Sequence, residues 1–177
     1  YLQEDLGDIL LFHAIEKGRA TSVFSEEEKE LLRKTVRLLP AIQFAGADGF
    51  DFSRCHPQPE FNQRSILWDL NYFKYCFLKA TGMEFQEDKL EDDFQGGRKG
   101  PFYYDVASFL WQAKAKYPDS LRKELLQEYM DALRKYQPID EPYFYSQLRH
   151  FVLFRTLQVL GAYGFRGYFE KKPHFIQ

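Results

Sequence analysis

The side chains best suited to chemistry lie in one segment of the chain, between residues 93 and 108. Asp93-Phe94-Gln95-Gly96-Gly97 is followed by Gly100-Pro101 and then by Tyr104-Asp105-Val106-Ala107-Ser108. A carboxylate beside a glycine-rich loop is a hard oxygen ligand for a divalent cation, and glycines let the backbone approach phosphate groups. Asp105, at the start of a predicted helix, can receive backbone N–H groups or serve only as an N-terminal cap. The segment therefore predicts a cation and phosphate site, with both interpretations of Asp105 open.

A second candidate is the opening segment, Leu2-Gln3-Glu4-Asp5-Leu6-Gly7. It is typical of a strand that leads into a tight turn. Backbone C=O and N–H groups at such a turn can pair with the edge of a flat heterocycle. On its own this pattern is a weak indication of a ligand site.

Other catalytic patterns are absent from the sequence. The four histidines are scattered, with no HExxH motif, and there is no GxSxG motif and no P-loop. The stretch Gly96-Gly97-Arg98-Lys99-Gly100 does not fit GxxxxGK[ST], and a loop between helices is the simpler interpretation. Cys55 and Cys76 form neither a CxxC pair nor a disulfide framework, which favours a reducing cytoplasm as the location.

Composition excludes two further classes of function. With 24 basic and 26 acidic residues the net charge is −2, which argues against a sequence-independent nucleic-acid binder. The longest apolar runs fall far short of the roughly 20 residues that span a bilayer, so no membrane association is expected. The chain opens with Tyr-Leu-Gln, as if in the middle of a strand, which predicts further protein upstream.

Hydrophobic spacing predicts a mainly helical chain. A Ser-Glu-Glu-Glu capping box at residues 25–28 opens one helix, which Pro40 kinks or ends. Gly18 is a plausible stop for the first helix, and Gly161 and Gly164 mark where the last one bends or packs closely. The predicted helices cover residues 9–17, 25–40, 61–79, 87–93, 104–116, 120–136 and 141–169.

Taken together, these segments resemble the aminoglycoside phosphotransferase and choline kinase superfamily. The resemblance is closest to the bacterial anomeric sugar kinases that phosphorylate N-acetylmuramate and N-acetylglucosamine. Residues 2–8 are similar to the hinge between the two lobes, and residues 93–110 to the segment "IDFQ…GP..YDLASLL". Leu157-Gln158-Val159-Leu160-Gly161 with Lys172-Pro173-His174-Phe175 is similar to the C-terminal "LKVLG…KP.YL" segment. The middle match is specific, and the three occur in the family's order across nearly the whole chain.

The resemblance implies roles for individual residues. The backbone at Glu4 and Leu6 would hold the adenine of ATP, with Gln3 behind it as gatekeeper. Asp93 would bind the nucleotide's Mg²⁺. Asp105 would hold the backbone of the catalytic loop from below. Around the acceptor, Arg54 or His56 would contact a sugar.

The chain departs from the family pattern in one essential place. In the superfamily a segment like "HRDFxSRN" precedes the DFQ-like segment by a strand hairpin and supplies the catalytic Asp and a metal-binding Asn. Here Leu90-Glu91-Asp92 runs straight into Asp93. Either a stretch near residues 90–95 is left out of the chain as given, or it is truly deleted. We favour the first, because a helical core could hardly stay packed after losing the hairpin that it surrounds.

The expected fold is therefore mainly α: a protein-kinase-like C-terminal lobe with a strand stub at its N-terminus. The β-rich N-terminal lobe and the catalytic hairpin are absent from these residues. Residues 1–8 would be the hinge and strand end, and residues 9–177 the helical lobe, with possible fused domains outside. The expected function is an ATP- and Mg²⁺-dependent cytoplasmic kinase of an amino-sugar hydroxyl. Choline or an aminoglycoside as acceptor, or a non-catalytic helical module that binds a partner protein, are the alternatives.

Overall fold

The computed structural model describes residues 7–55, 59–85 and 102–175, and within these ranges the chain is mainly helical, with no β-strand. This confirms the mainly α prediction. The predicted strand stub at residues 1–3 and the predicted helix at 87–93 lie outside the described residues. Within the described part, none of the helices combines the length and the apolar character needed to cross a membrane.

The helical elements follow one another through the described ranges with short connections. In chain order they are α1 (Leu11–Ala14), α2 (Glu16–Thr21), α3 (Glu26–Pro40), a π-helical turn (Ala41–Ala45), a 3-10 turn (Phe52–Arg54), α4 (Gln63–Phe73), a second π turn (Lys74–Leu78), α5 (Lys79–Thr81), α6 (Tyr103–Leu110), a 3-10 turn (Ala113–Ala115), α7 (Asp119–Leu133), α8 (Glu141–Gly164), a third π turn (Phe165–Phe169) and a 3-10 turn (Pro173–Phe175).

The chain divides into two compact units. The first contains residues 1–48 and 109–139, and the second contains residues 49–108 and 140–177. Each unit is therefore assembled from two stretches that are distant in sequence. In each, a helix from the earlier stretch packs against a helix from the later one.

In the first unit, α3 packs against α7. The capping box forms as predicted: Ser25 Oγ accepts from the Glu28 N–H, and Glu28 Oε2 accepts from the Ser25 N–H. The α-helical hydrogen bonding of α3 ends at Pro40, also as predicted, although the backbone stays helical through the π turn. The core of the pair consists of fully buried side chains: Leu32, Val36, Leu125, Tyr129, Met130 and Leu133.

The prediction for the first helix was wrong in its boundary. Gly18 does not end a helix but lies within α2, which ends at Thr21, and the next residue, Ser22, adopts the left-handed conformation (φ 59°). A Cβ at Gly18 would lie 2.3 Å from Cδ1 of the buried Phe24 ring. Glycine is therefore required here for a close approach and not for a turn, a distinction that spacing alone did not reveal.

In the second unit, α4 packs against α8, and the backbones come closest where α8 carries two glycines against the end of α4 and the second π turn. A Cβ at Gly161 would lie 2.9 Å from the backbone of Phe73, and one at Gly164 would lie 2.2 Å from the carbonyl oxygen of Cys76. The prediction that these glycines pack closely is confirmed. The face of α4 that was predicted to be apolar supplies the buried Ile66, Leu70 and Phe73.

The helix predicted for residues 104–116 is shorter than expected. Helix α6 begins at Tyr103 and ends at Leu110, and a separate 3-10 turn follows before Lys116 adopts a left-handed φ of 52°. The backbone is already extended at Gln112 (ψ 112°), two residues after the helix ends. The chain therefore leaves the helix earlier than its hydrophobic pattern indicates.

Candidate functional site

A chain of hydrogen bonds crosses the helix contacts of the second unit. The Tyr104 hydroxyl of α6 donates to Gln158 Oε1 of α8 at 2.9 Å, and Gln158 Nε2 donates to Asp69 Oδ2 of α4 at 2.8 Å. Arg155 Nη1 also donates to Gln158 Oε1. One amide side chain thus connects three helices, and its oxygen and its nitrogen both have partners.

The sequence places these groups at an otherwise apolar contact. Asp69 follows Ile66 by three residues and precedes Phe73 by four, so it lies beside the buried stripe of α4. A carboxylate in such a position is costly unless hydrogen bonds compensate for lost water. Gln158 supplies that hydrogen bond, because its primary amide can donate and accept at once.

Aromatic packing positions the donor end of the chain. The Tyr104 ring lies 5.2 Å from the Phe61 ring, which in turn lies 5.8 Å from Phe154, measured between centroids. Phe154 is buried with Ile66 and Leu70 in one apolar cluster, against which Tyr104 packs. The ring of Tyr104 is therefore held in the core while its hydroxyl reaches Gln158.

The surroundings of Asp69 raise the pKa of its carboxyl. Burial raises the pKa of the Asp69 carboxyl, and the hydrogen bond from Gln158 and the positive charge of Arg155 oppose that rise only in part. A half-buried carboxyl with a raised pKa can hold or release a proton closer to neutral pH than an exposed aspartate does. The cluster can thus position α6 and can carry one titrating proton.

Asp105 lies in the first turn of α6, directly after Tyr104, and is exposed. Since α6 begins at Tyr103, Asp105 lies inside the helix, so it does not occupy the capping position that one of the two interpretations gave it. An acidic side chain in a first turn is favoured by the positive end of the helix. Its carboxylate is therefore positioned by the same helix that Tyr104 ties to Gln158.

Of the two residues predicted near the acceptor, only Arg54 is described. It ends the short 3-10 turn after Asp51, and its Nε lies 3.0 Å from Asp51 Oδ2. Its side chain is 86% exposed, so this ion pair leaves the guanidinium accessible to a ligand. His56 lies outside the described residues.

The residues predicted to hold ATP and Mg²⁺ also lie outside the described ranges: these are Gln3, Glu4, Leu6 and Asp93. Within the ranges that are described, no three His, Cys, Asp or Glu side chains are grouped closely enough to hold a metal ion. Mg²⁺ is commonly bound by one or two carboxylates together with substrate phosphates and water. The single carboxylate of Asp93 suits that kind of site.

The sequence analysis includes Tyr104 and Gln158 in motif segments but predicts no role for them. It does not identify Asp69 or Arg155. One pattern could have identified Asp69, because it is the only acidic residue in the stretch from 63 to 81 and it borders the apolar stripe. Gln158 lies four residues after the buried Phe154, which places it on the same face of α8.

Comparisons with models of protein families, with curated proteins and with solved structures find no match to this chain.

Proposed function

We propose that this chain is the helical lobe of an ATP- and Mg²⁺-dependent phosphotransferase of the aminoglycoside phosphotransferase-like family, acting on a hydroxyl of an amino sugar. One observation supports the proposal above the others. Tyr104 belongs to the segment that resembles the family's metal site, Gln158 belongs to the segment that resembles its C-terminal motif, and their side chains are hydrogen-bonded. Segments 54 residues apart in the chain thus contribute to one local structure.

In this proposal each residue has a limited task. The backbone at Glu4 and Leu6 binds adenine, with Gln3 behind it, and Asp93 holds the metal ion. Bound Mg²⁺ would neutralise charge on the phosphates of the nucleotide. Asp105 positions the loop next to it through backbone N–H groups, and Arg54 or His56 binds the sugar. Catalysis of this kind depends on positioning and on charge stabilisation, which a rigid helical lobe is suited to provide.

Asp92 is followed directly by Asp93, so these residues do not include a segment like HRDFxSRN, which would supply the carboxylate that orients the acceptor hydroxyl. Binding, and not phosphoryl transfer, is accordingly the property to measure on this chain. A cytoplasmic location accords with the absence of a disulfide framework in the sequence.

Calorimetric titration of the chain with ATP in the presence of Mg²⁺ tests the nucleotide part. We expect saturable binding that Asp93→Asn weakens and that Asp92→Asn, the adjacent carboxylate, leaves unchanged. Equal losses in the two variants, or no binding by the unmodified chain, would contradict the proposed role of Asp93.

Acceptor titrations distinguish the substrate classes. N-acetylglucosamine and N-acetylmuramate should bind, and Arg54→Ala should weaken them, whereas choline and a cationic aminoglycoside should bind less well. Preference for the cationic ligands would replace the sugar with another hydroxyl compound while leaving the phosphotransferase proposal intact.

A further inference from the structure

We infer that the outer face of α3 is an interface between two copies of this chain, whose α3 helices pair in antiparallel orientation. This surface, the α3 outer face, consists of Glu27, Leu31, Lys34 and Leu38, and all four side chains are exposed. The inference does not depend on the proposed phosphotransferase function, since none of these residues belongs to the motif segments.

The four residues share one side of α3. Their separations of four, three and four residues match the helical repeat, and the other side carries the buried Leu32 and Val36 that pack against α7. Leu38 is 59% exposed, and Leu31 is 39% exposed. Two leucines thus face solvent on a helix whose other side is already packed.

Two charged side chains of α3, Glu27 and Lys34, have no ion pair within the described residues. The Glu27 carboxylate accepts hydrogen bonds only at the start of its own helix, from Ser25 and from its own N–H. The other six charged side chains of the helix already have ionic or backbone partners: Glu26, Glu28, Lys29, Glu30, Arg33 and Arg37. Glu27 and Lys34 are therefore the charges of α3 that a partner can pair.

The order of these residues makes the surface complementary to itself. From Glu27 to Lys34 it presents an acid, Leu31 and a base, so a second copy in the reverse direction presents a base, Leu31 and an acid. A two-fold axis beside Leu31 therefore brings Glu27 of each copy opposite Lys34 of the other. A parallel pair would instead place Glu27 against Glu27, so charge selects the antiparallel orientation.

Apolar residues continue the same match beyond the charges. Leu38 lies four residues after Lys34, and Val23, which is 76% exposed, lies four residues before Glu27. The antiparallel register thus places Leu38 of one copy at the level of Val23 of the other. Two-fold pairing is the commonest form of homo-oligomer. A single helix pair covers less than the roughly 1,600 Å² of a standard interface, so we expect a weak, reversible dimer.

Sedimentation velocity over a wide range of concentrations at low ionic strength provides the test. We expect a monomer–dimer equilibrium. Glu27→Lys and Lys34→Glu each create two like-charge contacts in the dimer, and each should weaken it about tenfold or more. The double variant Glu27→Lys/Lys34→Glu should restore the dimer. An equimolar mixture of the two single variants should also dimerise, because each supplies the charges that the other lacks.

Matched controls change exposed charges elsewhere in the first unit. Glu16→Lys on α2 and Lys123→Glu on α7 should leave the dimer unchanged. Leu31→Cys, in a background of Cys55→Ser and Cys76→Ala, should form an intermolecular disulfide when copper phenanthroline and O2 oxidise the two thiols, whereas Glu16→Cys in the same background should not. Circular dichroism verifies that all of these variants fold.

Three results would overturn the inference. The first is a chain that stays monomeric at every concentration at low ionic strength. The second is a dimer that neither Glu27→Lys nor Lys34→Glu weakens, which would place the interface elsewhere. The third is a loss in both single variants that neither the double variant nor the mixture restores, because an antiparallel pairing of Glu27 with Lys34 requires that recovery.

Discussion

The α3–α7 pair of the first unit has its ion pairs at the rim of the contact, whereas the α4–α8 pair of the second unit has a chain of hydrogen bonds that crosses the contact. At the rim, Arg33 Nε lies 2.6 Å from Glu124 Oε1, and Arg37 Nε lies 2.7 Å from Glu128 Oε2. Exposed ion pairs of this kind contribute little to stability and weaken with salt. The first pair is held mainly by buried apolar side chains, and one hydrogen bond, from the Tyr129 hydroxyl of α7 to Gln43 Oε1 at 2.8 Å, joins α7 to the π turn that continues α3.

The second pair has the opposite arrangement. Its backbones approach through Gly161 and Gly164, and the Asp69–Gln158–Tyr104 chain fixes the rotation of three helices. A buried polar group that loses its partner costs more than the hydrogen bond itself contributes. We therefore expect the α4–α8 contact to be sensitive to small changes in side-chain size and polarity.

The largest expected effect comes from adding one methyl group to the close contact. Gly164→Ala should lower the free energy of unfolding by about 1–3 kcal/mol, because the new Cβ overlaps the carbonyl oxygen of Cys76. Thr156→Ala, on an exposed position of α8, is the control and should stay within about 0.5 kcal/mol. Urea denaturation measures both, and equal values would mean that the close approach at Gly164 does not limit side-chain size at the α4–α8 contact.

A pH series tests the polar chain. The pKa of Asp69 is raised in the folded protein, so the folded state binds this proton more tightly than the unfolded state does. The stability of the protein therefore falls as the pH rises from the ordinary aspartate pKa through the raised one. Asp69→Asn should remove that fall, which urea denaturation at a series of pH values would detect.

Gln158→Leu sharpens the same measurement. The hydrogen bond from Gln158 opposes the rise in the pKa of Asp69, so its loss should extend the fall in stability to higher pH. If the unmodified chain and Asp69→Asn have the same pH profile, the cluster does not titrate in the way that its burial indicates.

The smallest effect is expected at the rim of the first pair. Arg33 has carboxylate oxygens of Glu26, Glu30 and Glu124 within 3.4 Å. Arg33→Gln should lower the thermal midpoint less than Gly164→Ala does, and the difference from the unmodified chain should disappear in high salt. A loss that persists in high salt would mean that this ion-pair network contributes to the contact itself.

The helices themselves could be predicted from sequence, since apolar spacing and the Ser25 capping box locate them. The residues at which the helices end were harder to predict. The apolar pattern continues past Leu110, where α6 ends, and the role of Gly18 depends on Phe24, with which it packs. Local patterns contain no information about such packing partners.

The candidate site shows the same limit. Asp105 and Arg54 could be proposed as site residues from the sequence. The hydrogen-bond partners of Asp69 and Gln158 could not. Asp69 and Gln158 are 89 residues apart, and nothing in their neighbourhoods pairs them. The role of Gly161 and Gly164 was within reach, because two small residues at adjacent turns of a helix indicate a close neighbour even when that neighbour is unknown.

The hydrogen bonds through Gln158 all run in one direction, from the phenol and the guanidinium to the amide oxygen and from the amide nitrogen to the carboxylate. A glutamate at position 158 would have nearly the same shape, yet it would bring a second carboxylate against Asp69, so that the two would compete for a single proton. A side chain at position 158 must therefore match Gln158 in more than shape. It must also accept a hydrogen bond at one end atom and donate one from the other.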